Sequence, residues 1–258
     1  MISFPLPPEL ADINSIDGWL SNAEASYLYY LARNLSAGGG VIVEVGSYKG
    51  KSTVCLAAGS SRGAQKTIYA IDPHTGSEEH QLLYGAVNTL QQFKNNLATF
   101  RVSDMVEPLV MTSEQASRNW GKKIALLFID GAHDVESVQR DFDMWWPHVE
   151  DGGWVVLHDT TGTWIPGLLG WPGPRKVAAR MLFASNQVGD MHLIDTITAG
   201  KRIPPTSSLS FWTTKCRLRL AKVPGDALSV GIRAALRLPR PMKVRIRHLL
   251  KIFKCRLP

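Results

Sequence analysis

Two short stretches hold the residues best able to do chemistry. Asp130-Gly131-Ala132-His133 and His158-Asp159-Thr160 each bring a carboxylate close to an imidazole, and each follows an apolar run. Read as the ends of two neighbouring strands, they converge on the ligand side of a parallel sheet. Carboxylates and imidazoles gathered in this way can hold a divalent cation. Oxygen-rich sets favour Mg²⁺, and added imidazole admits Mn²⁺. Such a cation lowers the pKa of a bound hydroxyl, and a nearby histidine then takes the proton. The competing structural reading is that His133 caps a helix and His158 only hydrogen-bonds its own loop.

A second stretch points to a nucleotide-like ligand. Val41-Ile42-Val43-Glu44-Val45 is an apolar run with one acid in it, followed by Gly46-Ser47-Tyr48-Lys49-Gly50 and a helix-like start at Lys51-Ser52-Thr53. A strand, a glycine turn and a helix N-terminus expose backbone N–H groups at a place the chain can approach closely. Gly50-Lys51-Ser52 would end a triphosphate-binding loop, with 124–130 as its acidic strand, but that loop needs glycine at position 45, where valine stands. A dinucleotide fingerprint is absent too, because Gly46 and Gly50 are spaced Gly-x-x-x-Gly. Thr67-Ile68-Tyr69-Ala70-Ile71-Asp72 reads as the next strand, ending in a carboxylate able to accept from both hydroxyls of a ribose; taken alone, Asp72 would be an ordinary turn residue before Pro73. His74, Glu78, Glu79 and His80 follow it with a spacing that fits no common metal pattern.

The elements that must position these residues alternate strand and helix. Ser21-Asn22-Ala23-Glu24 is a capping box and predicts a helix after an irregular lead-in over 1–20. Strands are expected at 41–45, 67–71, 106–111, 124–129 and 154–157, with helices over 86–100, 135–149 and 175–183. Asp151-Gly152-Gly153 reads as a turn. Two further strands, 191–198 and 209–213, are expected as a hairpin joined through 200–205. Between 160 and 176 the chain is rich in Gly, Pro and Trp, and reads as a lid or acceptor loop in which Trp164 and Trp171 either stack on an acceptor or plug the loop onto the core.

The pattern running from Gly18-Trp19-Leu20 through Glu44-x-Gly46, Asp130-Gly-Ala-His133 and Gly152-Gly153 to His158-Asp159-Thr160 resembles the class I S-adenosylmethionine-dependent methyltransferases. Within them it is similar to the branch of macrocin-type sugar O-methyltransferases and proteins named cephalosporin hydroxylases, over about residues 15–215. The resemblance implies a Rossmann-like α/β fold: a mostly parallel seven-stranded sheet, its last strand antiparallel, with helices on both faces. It implies S-adenosylmethionine as cofactor, held by Glu44, Gly46, Ser47, Gly50, Ser52, Asp72, Ser113 and Asp130. It also implies Mg²⁺ or Mn²⁺ on Asp130, His158 and Asp159, His133 as general base, and Asp130 and His133 as the catalytic pair. Position 158 departs from the relatives, which carry an acidic residue there. The implied reaction is methyl transfer to a hydroxyl of a sugar, glycan or natural product. Dimers are common among such enzymes, so a homo-oligomer is compatible. The alternative from another class is a non-catalytic binding protein on the same fold, acting through its basic tail.

The chain has 258 residues and three cysteines, Cys55, Cys216 and Cys255, with no paired or metal-type spacing, which suits a reducing, cytoplasmic setting. Neither a secretory signal nor a bilayer-spanning run is read from the sequence. Charge is unevenly placed. Residues 215–258 carry 13 Lys and Arg against one acid, Asp226, while the remainder carries 16 basic against 21 acidic residues. The expected organisation is therefore a lead-in over 1–20, a methyltransferase domain over 21–214 and a basic extension over 215–258. Within 239–258, Met242, Ile246, Leu249, Leu250 and Phe253 fall on one helical face and Lys243, Arg247, Lys251 and Lys254 on the other. That pattern suits the anionic inner face of a membrane, or docking on the chain's own acidic body. Nucleic acid fits less well, because no aromatic residues interleave the charges.

Overall fold

The computed structural model describes residues 5–36, 38–76, 88–161 and 171–204. Seven strands form one sheet: β1 (Val41–Val45), β2 (Ile68–Ile71), β3 (Val106–Leu109), β4 (Ile124–Ile129), β5 (Val149–Leu157), β6 (Val188–Ile194) and β7 (Ile197–Arg202). Their order is β3-β2-β1-β4-β5-β7-β6. β1 to β5 pair in parallel, and β7 runs antiparallel to both β5 and β6. This is the Rossmann-like methyltransferase arrangement that the resemblance implies. The C-terminal ends of β2, β1, β4 and β5 stand side by side, so the loops bearing Asp72, Gly46, Asp130 and His158 meet along one rim.

Strand alternation builds two cores. Ile42, Leu126, Phe128 and Val156 face one side, against Leu28 and Tyr29 of α1 (Asn22–Arg33), Val54 and Leu56 of α2 (Lys51–Ser61) and Phe93 of α3 (Leu90–Thr99). Val43, Val45, Leu127 and Ile129 face the other, with Val138, Phe142 and Trp145 of α5 (Val135–Trp145) and Val177 of α6 (Pro172–Val177). A short α4 (Ser113–Ser117) precedes β4. Both faces of β1 and β4 are covered, which is why their sequences read as apolar runs rather than as alternation.

The end of the domain differs from expectation. The hairpin lies at β6–β7, and its turn is Asp195-Thr196, not 200–205. Asp195 takes a left-handed φ of +47°, a conformation aspartate tolerates. The Thr196 amide donates to Glu24 of α1 at 2.8 Å and fixes the turn. Gly200 sits inside β7, where a Cβ would lie 2.4 Å from Val188. The antiparallel strand is consequently interior, and β6 is the edge; 209–213 lies outside the described residues. β5 begins five residues early, at Val149, because Asp151-Gly152-Gly153 forms a bulge within the strand, with Gly152 at φ +82°. α6 starts at Pro172, with proline in the first turn, where its missing N–H costs nothing. That places Trp171 at a helix start rather than in a free loop. Trp164 and all of 215–258 lie outside the described residues.

Candidate active site

The turn after β1 is shaped by close approach. Gly46 has φ +89°, and a Cβ there would stand 2.2 Å from the carbonyl oxygen of Asp130. Only glycine lets the loops after β1 and β4 touch in this way. Gly50, at φ +86°, is the N-cap of α2. Ser47 is buried, and its hydroxyl has no hydrogen-bond partner among the described residues. Glu44 and Ser52, expected as cofactor contacts, are engaged with each other. Glu44 is fully buried and accepts from the hydroxyls of Ser52 and Thr53 at the start of α2. Burial pushes its pKa up to about 8, against those two hydrogen bonds. These residues brace the turn from behind.

Asp72 follows β2 and faces that turn. The Tyr48 amide donates to its Oδ2 at 2.8 Å, and the His74 amide to its Oδ1 at 2.6 Å. Each oxygen keeps a second lone pair for a ligand. Ser113, expected near the adenine, accepts instead from Trp145 Nε1 at 2.8 Å and so faces α5.

The four residues ending β4 and β5 do converge. His133 Nε2 lies 3.3 Å from Asp159 Oδ2, and His158 Nδ1 lies 3.0 Å from Asp130 Oδ1. Asp130, His133 and Asp159 present ligand atoms that all fall within 4.8 Å of one another. His158, expected as a metal ligand, sits behind this group, 3% exposed. Its Nδ1 faces Asp130 and Asp159, and its Nε2 faces Glu24 Oε2 at 3.6 Å. Burial works against its charge. The hydrogen-bonded Asp130 carboxylate, with the Asp159 and Glu24 carboxylates facing the ring, nonetheless raises its pKa well above the ordinary histidine value. The ligand atoms that lie close enough together to share an ion come from Asp130, His133 and Asp159, so His133 stands in the ligand geometry where His158 was expected. Asp159 is held below the usual carboxylate range: burial pushes its pKa up, and the hydrogen bonds and charges of His133 and His158 override that.

Glu24 and Gly173 have roles here that went unread in the sequence, and Trp171, expected to stack on an acceptor or plug its loop onto the core, stacks on His133 instead. Glu24 is buried under the site, accepting from the Thr196 amide and the Ser21 amide while facing His158; the capping box signalled only its helix. Trp171 lies parallel over the His133 ring, 4.7 Å between centroids and 12° between planes, and its amide donates to the Asp159 carbonyl. Gly173 donates to the His133 carbonyl and comes so close that a Cβ would lie 2.3 Å from that oxygen. The start of α6 thus clamps both His133 and Asp159, and only the Gly-Pro-rich composition hinted at it.

Comparison with known proteins agrees with this geometry. Residues 43–160 match a family model described as "Methyltransferase domain". A curated relative, an uncharacterised protein, y4gI, from Sinorhizobium fredii, is 28% identical over 120 residues, which is 46% of this chain and 13% of that protein. The chain thus spans only a small part of that relative's length. Among solved structures, the O-methyltransferase TomG from Streptomyces achromogenes, in complex with SAM and involved in tomaymycin synthesis, superposes with a TM-score of 0.55 at 17% identity, over 78% of this chain and 92% of that one. The SAH-bound methyltransferase PaMTH1 from Podospora anserina gives 0.56 at 16%, over 78% and 91%.

Proposed function

We propose that this chain, which carries a methyltransferase domain on the class I S-adenosylmethionine-dependent fold, moves a methyl group to a hydroxyl of a sugar, glycan or other natural product, with His133 as general base. One observation carries the reading. The His133–Asp159 pair, 3.3 Å apart, stands on the rim beside the turn of Gly46 and the carboxylate of Asp72. The cradle suits the cofactor: Gly46 leaves the main chain bare, the buried Ser47 hydroxyl lacks a partner among the described residues, and both Asp72 oxygens are aimed by backbone amides. When bound, S-adenosylmethionine supplies a methyl group activated by a sulfonium charge.

The chain's own residues do the rest. Asp72 accepts from the ribose hydroxyls, and Gly46 and Gly50 let backbone amides come close. Glu44 and Ser52 hold the turn to α2. The His133 ring takes the acceptor's proton, and the Asp159 carboxylate orients the ring and compensates the imidazolium. Asp130 is fixed in direction by His158. Trp171 holds His133 in plane. The test is methyl transfer to a panel of sugar and phenolic hydroxyls, with His133→Ala alongside. The variant should lose turnover while keeping cofactor affinity. Full turnover by His133→Ala would contradict the base role.

A second reading is favoured by the 4.8 Å grouping of Asp130, His133 and Asp159. Two carboxylates and an imidazole suit Mg²⁺ or Mn²⁺, which would supply a Lewis acid to the acceptor hydroxyl. His133 would then be a ligand and not a base. Mn²⁺ titration followed by electron paramagnetic resonance separates the two: binding that His133→Ala and Asp159→Asn both abolish supports the metal site, and no binding removes it.

The domain is proposed to span 21–214, with the basic extension over 215–258 carrying the chain to an anionic membrane surface. The support is the segregation of Lys and Arg from the apolar face in 239–258. Among the described residues no helix is long and apolar enough to cross a membrane. Salt-sensitive co-sedimentation of the full chain with phosphatidylserine vesicles would support this role, and indifference to vesicle charge would remove it.

A further inference from the structure

His74 breaks two local rules at once. It takes a left-handed φ of +57°, its ring Nε2 is buried without a hydrogen-bond partner among the described residues, and its Nδ1 engages the Thr89 hydroxyl at 2.9 Å. Thr89 is the N-cap residue of α3, and its hydroxyl makes no bond to its own helix. Local costs of this kind persist where function holds them in place.

What they support lies next door. The His74 amide donates to Asp72 Oδ1, and the ring packs on Phe93 at 5.1 Å. Phe93 in turn lies against Gly50, 3.0 Å from where a Cβ would stand, and Asn96 of the same helix donates to the Lys49 carbonyl at 2.8 Å. The Thr89 amide also donates back to the His74 carbonyl at 3.2 Å. So one histidine ties the loop after β2 to α3, and α3 to the turn after β1. Those are the two loops that the cofactor's ribose and methionine portions must touch together. Burial holds the ring's pKa below the ordinary histidine value, against Asp72 and the Tyr48 main chain, so the ring is a neutral strut.

We infer that His74 is a positioning residue of the cofactor site: it sets the direction of the Asp72 carboxylate through its own amide and by fixing the turn that carries the Tyr48 amide. This rests on the cofactor reading above. The test is S-adenosylmethionine calorimetry on the full chain. His74→Ala should weaken binding roughly tenfold or more, the scale of a misdirected charge-assisted hydrogen bond. His74→Asn, which tolerates the left-handed backbone and can still reach Thr89, should recover most of it. Because His74 acts through Asp72, the double variant His74→Ala/Asp72→Asn should bind no worse than Asp72→Asn alone. A purely structural role would instead multiply the two losses. If His74→Ala does not fold, Thr89→Val carries the test, with a smaller loss in the same direction. Wild-type affinity in His74→Ala, or multiplicative losses in the cycle, overturns the inference and leaves the cofactor reading standing. No binding by the wild-type protein overturns both.

Discussion

His158 lies with its Nδ1 3.0 Å from Asp130 Oδ1, and its other ring nitrogen faces Glu24. A buried imidazole ring therefore links the start of α1 to the aspartate that ends β4. The sign of its effect on stability follows from its raised pKa. The stabilisation is fully present below the unfolded value of about 6.5 and is lost as pH rises through the higher folded value. Asp159 and Glu24, both lowered, act oppositely: their stabilisation is present above about pH 4.5 and is lost as pH falls through their folded values. The combined contribution of His158, Asp159 and Glu24 to stability should hold level between these limits and fall on both sides. His158→Gln should destabilise by about 3 kcal/mol near pH 7, because it leaves the buried Glu24 carboxylate without a facing cation. Chemical denaturation across pH checks both expectations.

Glu44 should behave in reverse. Its pKa is raised by burial to about 8, so the folded state holds the proton that the unfolded state releases. Stability from this group falls as pH rises from about 4.5 toward 8. Glu44→Gln keeps the shape and a neutral amide beside Ser52 and Thr53. The variant should gain on the wild type as pH climbs through that window, read as a widening difference in melting temperature. A constant difference would mean that Glu44 is charged in the fold.

Gly46→Ala should be damaging on two counts. Its φ of +89° is strained for any L-residue, by about 1–2 kcal/mol, and the new methyl would meet the Asp130 carbonyl 2.2 Å away. Either the loop after β4 shifts or the turn after β1 does. Both outcomes should lower stability by more than 2 kcal/mol, on the order of a severe core substitution, and abolish cofactor binding. Calorimetry with a parallel denaturation curve reads both.

Trp171→Ala removes the ring over His133 while leaving the backbone clamp. Such a stacked pair contributes about 0.5–1.5 kcal/mol, so the fold should survive. Turnover should fall with cofactor affinity unchanged, because His133 loses its fixed plane. Trp171→Phe should restore much of it.

Much of the fold was legible because β1 and β4 are covered on both faces and read as apolar runs, and because Gly46 and Gly50 mark a turn that needs positive φ. The convergence of Asp130, His133, His158 and Asp159 followed from parallel strand ends. What stayed hidden depends on long-range partners. Glu24 reads as half of a capping box, yet its carboxylate meets Thr196 and His158, far along the chain. His158 reads as a ligand, yet the ligand atoms that gather come from Asp130, His133 and Asp159 while its own ring is buried behind them. Asp195-Thr196 gives no strong turn signal, since its geometry is held by Glu24 rather than by glycine. Ser113 reads as a ligand contact because nothing in its neighbourhood reveals Trp145, 32 residues on.

The most direct test is S-adenosylmethionine binding by calorimetry, with and without Mg²⁺, on the intact protein and on Asp72→Ala. Micromolar-range affinity, on the order of −8 kcal/mol, that the substitution abolishes is the expected result. No binding by the intact protein under either condition would contradict the methyltransferase account.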